Sequence, residues 1–378
     1  MRQPAAKQRM LRNIFVPARG QYDNIGDILL RRQLLDWLRA SGPLHVYVGE
    51  APDGYADGLG LGPDDVQYRS FRRWYLAALA SAAHGRASYV FKPGEIQLTL
   101  IGMKEHLAML PVLALVRARH GRVARVGVGS RNFAPLPRAL MGPSIALSNV
   151  SLWRDAATAG YLRQGSIMPD LAFASVGSNQ TRDAPEEQGR DVLVVSMRSD
   201  LDYPSLAWLA GVRAVAADNG LEIWCVTQVL RDDDKCGQLA TDLGGQALRW
   251  NGTGHDEQEQ RLRALYRRAA LAVSDRLHVL VGALTEGAVP AALLVSANSD
   301  AANSGAAYSD KIARHFAAAG LHDVSIASAG LSADEIAGRL QNLLGRRTAI
   351  LAGLAEAQQE LQTVRRLLDQ VLTTESVR

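Results

Sequence analysis

The stretch that decides the fold is Ala270-Leu271-Ala272-Val273-Ser274-Asp275-Arg276-Leu277-His278. Ala270 to Val273 is an apolar run too short for a helix and without the alternation of a half-wet strand, so it reads as a buried parallel strand. Ser274 to Arg276 is a polar turn, and from Leu277 the chain turns apolar again in a helix expected to end near Gly287. A buried strand feeding a helix through a charged turn is the unit of an open α/β sheet. Such sheets bind ligands where the strands end.

The same alternation recurs on both sides. Strands are expected at 13–16, 44–48, 123–128, 191–197, 222–227 and 291–295, with helices such as 28–39 and 258–269 between them. Residues 177–189 are polar, rich in turn formers and without apolar period, and read as a linker. The expected organisation is an N-terminal Rossmann-like domain (1–176), the linker (177–189) and a C-terminal Rossmann-like domain (190–345). A long amphipathic helix (346–378) follows. Two such domains facing a cleft form the arrangement of GT-B glycosyltransferases. In the last segment Leu354, Ala357, Leu361, Val364, Leu368 and Val371 recur at steps of three and four. That stripe suits packing on the chain's own body or, as the alternative, self-association into a homo-oligomer.

The turn has its own chemistry. A helix start offers free N–H groups and a positive dipole end, and Arg276 adds a fork that fits carboxylate or phosphate. His278, in the first helical turn, exchanges protons near neutral pH. The plainer reading makes Ser274 or Asp275 an N-cap, Arg276 a surface charge and His278 a packing residue. In the N-terminal half, Tyr22 to Asp27 forms the turn between the first strand and a helix with Ile28, Leu30, Leu34, Trp37 and Leu38 on one face. Asn24 and Gly26 suit tight backbone geometry there. Asp27 either caps the helix or reaches into the cleft.

Other classes find little support. The net charge of +4 is scattered, with no basic stripe for nucleic acid. Cys225 and Cys236 are too few for a disulfide framework or zinc site and read as reduced. No HExxH, CxxC, Walker loop or GxGxxG occurs, so no metal or cofactor is expected. Asp232 to Asp234 reads as a solvated helix start. The N-terminus lacks the apolar segment of a signal peptide or anchor, and Leu107 to Val116 is half a bilayer span. A cytoplasmic protein is expected, with peripheral contact to the inner face of the membrane left open.

Taken in order, several runs resemble the polysaccharide pyruvyl transferase family. They are Asp23-Asn24-Ile25-Gly26-Asp27-Ile28, Ser151-Leu152-Trp153-Arg154-Asp155, Pro169-Asp170-Leu171-Ala172-Phe173, Ser196-Met197-Arg198 and Ser274 to His278, the last followed by Gly282, Pro290 and Tyr308-Ser309-Asp310-Lys311-Ile312. The resemblance covers residues 13 to 345. It implies a GT-B-like fold, phosphoenolpyruvate as donor, and a sugar or lipid-linked glycan as acceptor. By the same resemblance Arg276, Arg198 and Lys311 would bind substrate and His278 would be catalytic; beside them Leu277 and Asn24 are candidate substrate-binding residues, and Asp27 a candidate catalytic residue that would orient or deprotonate the acceptor. The chain departs from the family where a glycine run is common, at Phe91-Lys92-Pro93-Gly94-Glu95, and again at Gly127-Val128-Gly129-Ser130, where Gly-Gln-Gly is common. The alternatives are a GT-B glycosyltransferase using a nucleotide sugar and a non-catalytic glycan-binding relative.

Overall fold

The computed structural model describes residues 11–97, 99, 102–130, 133–175, 189–295 and 305–374. The expected linker therefore lies outside the described residues, except for Gly189.

The first half carries strands β1 (Asn13–Pro17), β2 (Leu44–Tyr47), β3 (Val66–Tyr68), β4 (Ala87–Phe91), β5 (Gly94–Ile96), β6 (Val123–Ser130), β7 (Val150–Trp153) and β8 (Ser166–Ile167). They form one sheet in the order β3-β2-β1-β4-β6-β7-β8, with β5 added to β6, and every pairing is parallel. The second half carries β9 (Val192–Ser196), β10 (Glu222–Val226), β11 (Gln246–Leu248), β12 (Ala269–Ser274), β13 (Val289–Leu294) and β14 (Ser325–Ala327). Their order is β11-β10-β9-β12-β13-β14, again all parallel. In each sheet the strand order reverses once, between β1 and β4 and between β9 and β12. Those two switch points are where a doubly wound sheet opens a crevice for ligand.

Strands buried on both faces explain which elements the sequence displays. The residues of β9, β12 and β13 are nearly all buried, so they read as apolar runs. Strand β4 is also central, but Ser88 and Tyr89 break its run, and it was not among the expected strands. The edge strands β3, β8, β11 and β14 have two or three residues each, too few to show a period. Strand β13 begins at Val289, two residues ahead of the expected start.

The helix Arg347–Thr373 runs back from the second half onto the first. Its side-chain amide at Gln358 donates to the Phe173 carbonyl at 3.1 Å, and Ser41 Oγ donates to Asp369 at 2.8 Å. Ile350, Leu354, Ala357, Leu361, Val364, Leu368 and Leu372 are buried, so the apolar stripe is covered within the chain. Leu372, not Val371, completes it. A straight helix of 3.6 residues per turn drifts off a strict seven-residue repeat over this length. No described helix is long and apolar enough to cross a membrane.

The halves are joined at the turn after β1. Asn24 forms an antiparallel bridge with Val229, the Ile25 N–H donates to the Gln228 carbonyl at 3.1 Å, and Leu230 N–H donates to the Asp23 carbonyl at 2.9 Å. Nearby, His255 Nε2 donates to the Tyr22 carbonyl at 2.6 Å. Arg32 forms ion pairs with Glu259 and, at 3.7 Å, with Asp256. These contacts bring one switch point against the other.

Candidate functional site

Between the two switch points lies a cavity of about 400 Å³. Asn24, Asp27, Arg198, Arg276, Leu277, His278 and Lys311, the residues singled out in the sequence, all line it. Its described lining carries seven Arg or Lys side chains against four carboxylates, and none of it is Phe, Tyr or Trp.

The wall from the second half is built by register. Ser196 and Ser274 stand opposite one another at the ends of β9 and β12, so Arg198 and Asp275 leave adjacent strands side by side. Asp275 Oδ1 accepts the Arg198 N–H at 2.9 Å, while Arg198 forks onto Asp200 at 2.9 and 2.6 Å. Lys235 Nζ donates to the carbonyls of Arg198, Leu201 and Asp202 at 2.7 to 3.0 Å, which holds the loop after β9.

Arg276 is aimed by a partner from the turn Leu230–Asp232 that follows β10. Its Nε and Nη2 each donate to the Asp232 carboxylate at 2.8 Å, and Asp232 also accepts the Ser199 N–H at 2.9 Å. Asp232 is thus buried and structural, which corrects the expectation of a solvated run at 232–234. Asp233 is buried too, accepting from the N–H groups of Trp250 and Asn251, and only Asp234 points to solvent. The acidic run is amphipathic because the turn that carries it is wedged beneath the site.

The capping expectations also change. Neither Ser274 nor Asp275 caps the helix Leu277–Thr285; its N-cap is Arg276, without a side-chain cap bond. Ser274 Oγ instead accepts the Arg276 N–H at 2.9 Å and donates to the Ser196 carbonyl, tightening the turn. The first N–H groups of that helix are left for a ligand, as at any uncapped helix start.

In the first half the cap of the helix Ile25–Leu38 is Asn24, whose Oδ1 accepts the Gly26 N–H at 3.0 Å. Asp27 is therefore free of capping and reaches the cavity, paired with Arg31 at 3.0 Å. Burial alone would raise its carboxyl, but the guanidinium of Arg31, with Arg154 beyond it, holds it below the usual carboxylate range. Gly26 is not in the left-handed region; it is bare because a Cβ there would lie 2.5 Å from the Cβ of His278. The tight geometry expected of Gly26 is an approach between the two halves.

His278 is the pivot of the arrangement. Burial pushes its imidazole down to about 4, against the pull of Asp170 and Asp27, with Arg154 and Lys311 adding to the depression. The ring is neutral at pH 7, and its Nε2 is buried with no protein partner among the described residues. The carbonyl of His278 accepts from Gln228 at 3.0 Å.

The far end is made by residues of the runs 151–155, 169–173 and 308–312 and of the segment 91–95. Arg154 and Asp170 form a buried ion pair at 3.0 Å, joining two runs that lie apart in the chain. Lys311 meets Glu95 at 2.5 Å, with Lys92 beside them in the lining. Thus Lys92 and Glu95, where a glycine run was the norm of the resemblance, add charge to the cavity. Arg31, Asp275, Asp200 and Asp232 were not singled out as site residues. Only the position of Asp275 next to Arg276 offered a signal for any of them.

No family model matches the chain, and no curated protein matches it. Solved structures do match in fold. The chain is similar to a putative UDP-N-acetylglucosamine 2-epimerase from Listeria monocytogenes, with 12% identity and a TM-score of 0.55 over 97% of this chain and 100% of that one. It is similar to the UDP-GlcNAc 2-epimerase from Neisseria meningitidis, with 9% identity and a TM-score of 0.55 over 96% and 99%. A third is the UGT2 of Phytolacca americana, with 10% identity and a TM-score of 0.52 over 96% and 100%. At such identities the likeness concerns the fold: the chain has the GT-B architecture of two Rossmann-like domains around a cleft.

Proposed function

We propose that this protein is a pyruvyl transferase, which moves the three-carbon unit of phosphoenolpyruvate onto two neighbouring hydroxyls of a sugar as a ketal and releases phosphate. The observation that carries the reading is the meeting of Arg276, Arg198 and neutral His278 at one switch point with Asp27 across the cleft. An excess of cations over carboxylates suits a small, highly charged donor. The absence of an aromatic side chain from the described lining leaves a nucleobase without a stacking platform, which favours phosphoenolpyruvate over a nucleotide sugar.

The chemistry asks for a proton on the donor's methylene carbon, attack by two hydroxyls on the oxocarbenium-like centre, and departure of phosphate. Of the two hydroxyl protons, one balances the proton given to carbon and the other leaves with phosphate. Arg276, Arg198 and the start of the helix Leu277–Thr285 hold the donor's carboxylate and phosphate. Lys311 supports the phosphate. His278 and Asp27 face the acceptor, where the neutral imidazole takes a hydroxyl proton and the carboxylate orients the sugar. The acceptor is a sugar of a glycan or of a lipid-linked glycan precursor.

The test is incubation with phosphoenolpyruvate or with nucleotide sugars across a panel of glycan acceptors, measuring phosphate and nucleoside diphosphate release. Phosphate release with a mass gain of one pyruvate ketal on the acceptor supports the reading. Nucleoside diphosphate release without reaction of phosphoenolpyruvate replaces it with glycosyl transfer. Binding of phosphoenolpyruvate with no turnover on any acceptor replaces it with a non-catalytic role.

A further inference from the structure

Asp275 stands at the end of β12 with its side chain in the cavity wall, and is 3% exposed. One carboxylate oxygen, Oδ1, accepts the Arg198 N–H. The other, Oδ2, is buried and has no hydrogen-bond partner among the described residues. A buried ionised oxygen left in that state is costly, whereas a carboxylic acid there has an O–H to give to a ligand. From this geometry we propose that Asp275 is the acid that protonates the methylene carbon of the donor, leaving His278 as the base for the acceptor. The inference rests on the pyruvyl-transfer reading above.

The surroundings divide the two roles in space. Asp275 faces Arg198 on the loop after β9, Lys235 on the segment after β10 and Arg276 beside it, and Lys235 in turn faces Asp232, Asp200 and Asp202. Of these, Arg198 and Arg276 hold the donor. His278 faces Asp27, Asp170, Arg154 and Lys311, with Asp27 on the acceptor side across the cleft. Burial pushes the Asp275 carboxyl up to about 6, although the Arg198 N–H and the cations of Arg276, Arg198 and Lys235 pull it down. His278 is displaced the other way, to about 4. Two titratable groups pushed apart by their environments mark an acid and a base, here with the carboxyl as the acid and the imidazole as the base. A bound trianion raises both values further and keeps Asp275 protonated at neutral pH.

The step balances. The Asp275 O–H bond breaks as a C–H bond forms at the methylene carbon, turning it into the methyl group. The first sugar hydroxyl adds to the neighbouring carbon and gives its proton to His278. The second hydroxyl adds as the C–O bond to phosphate breaks, and its proton leaves with phosphate. The proton on His278 returns to Asp275 through solvent.

The decisive variant is Asp275→Asn, which keeps an acceptor for the Arg198 N–H and removes the transferable proton. Its turnover of phosphoenolpyruvate should fall 100-fold or more, the scale of general acid catalysis, while phosphoenolpyruvate binding at pH 7 should not weaken, because the neutral amide needs no proton uptake to accept the anion. In the wild type, kcat/KM should rise with pH near 4 and fall above about 6, and the alkaline fall should vanish in Asp275→Asn. Asp275→Glu, which retains an acid, should recover part of the turnover and the alkaline fall, and it decides the matter if Asp275→Asn does not fold. Turnover in Asp275→Asn equal to wild type, or an unchanged alkaline fall, overturns the assignment.

Calorimetry of inorganic phosphate binding in two buffers of different ionisation heat supplies an arm that needs no turnover. Wild type should take up protons, and Asp275→Asn should lose most of that uptake. Equal uptake in the two proteins overturns the neutral-acid state of Asp275. If wild type releases no phosphate from phosphoenolpyruvate, the pyruvyl reading fails and the carbon-protonation role falls with it. This calorimetric arm then still decides the protonation state.

Discussion

Gly26→Ala sets local preference against tertiary packing, with opposite signs. Gly26 lies in the first turn of the helix Ile25–Leu38 at a backbone angle that alanine adopts freely, so local propensity favours alanine by about 1 kcal/mol. The added Cβ would stand 2.5 Å from His278 Cβ, 2.6 Å from its Nδ1 and 2.8 Å from its Cγ. Ordinary carbon contacts are about 3.5 to 4.0 Å, so the two halves or the imidazole must part by about 1 Å. Overpacking of that kind costs about 1–3 kcal/mol, which cancels or exceeds the helical gain. Function should suffer more, because a displacement of about 1 Å in a catalytic group costs on the order of 100-fold in rate. The assay pairs a thermal melt with phosphate release from phosphoenolpyruvate. A melting point unchanged or lowered by a few degrees together with a large loss of kcat is expected. A raised melting point with full turnover would mean that Gly26 and His278 do not pack as described, and would refute the argument.

Replacing Arg276 with Lys keeps the charge but cannot serve Asp232 and a donor anion together, so KM for phosphoenolpyruvate should rise about 10- to 100-fold, measured by steady-state kinetics. Little change in KM would remove Arg276 from donor binding. Acid should destabilise the protein from about pH 6.5 downward, because His278, His106 and His315 all have depressed values when folded. The unfolded chain takes up protons there that the folded chain refuses, so stability is present above the unfolded value and is lost as pH falls. His278→Gln should reduce the drop in melting temperature between pH 7 and pH 4.5, and an identical drop would contradict the neutral imidazole. Leu361→Ala, at a fully buried position of the C-terminal helix, should cost about 2–5 kcal/mol in denaturant unfolding. A cost below 1 kcal/mol would mean that the helix is not docked on the first half.

The sequence by itself determined the architecture. Strands such as β9 and β12 must be apolar throughout because both faces are covered, and the turns that follow them must be polar because they reach the cleft. Seven residues from four separate runs line one cavity for the same reason: each run lies at the carboxyl end of a strand beside a switch point, or on a helix that reaches one. Partners contributed by distant segments were not legible, since local pattern carries no information about what lies across a fold. Asp232 looked like solvent-facing charge until Arg276 closed on it. Gly26 looked like a turn residue, and its bareness is owed to a histidine 252 positions away. The opposed displacements of Asp275 and His278 arise from burial and neighbouring charge, quantities that exist only after the chain has folded. Sequence placed the ionisable groups at the ends of strands; tertiary structure decided in which direction each is displaced from its ordinary value.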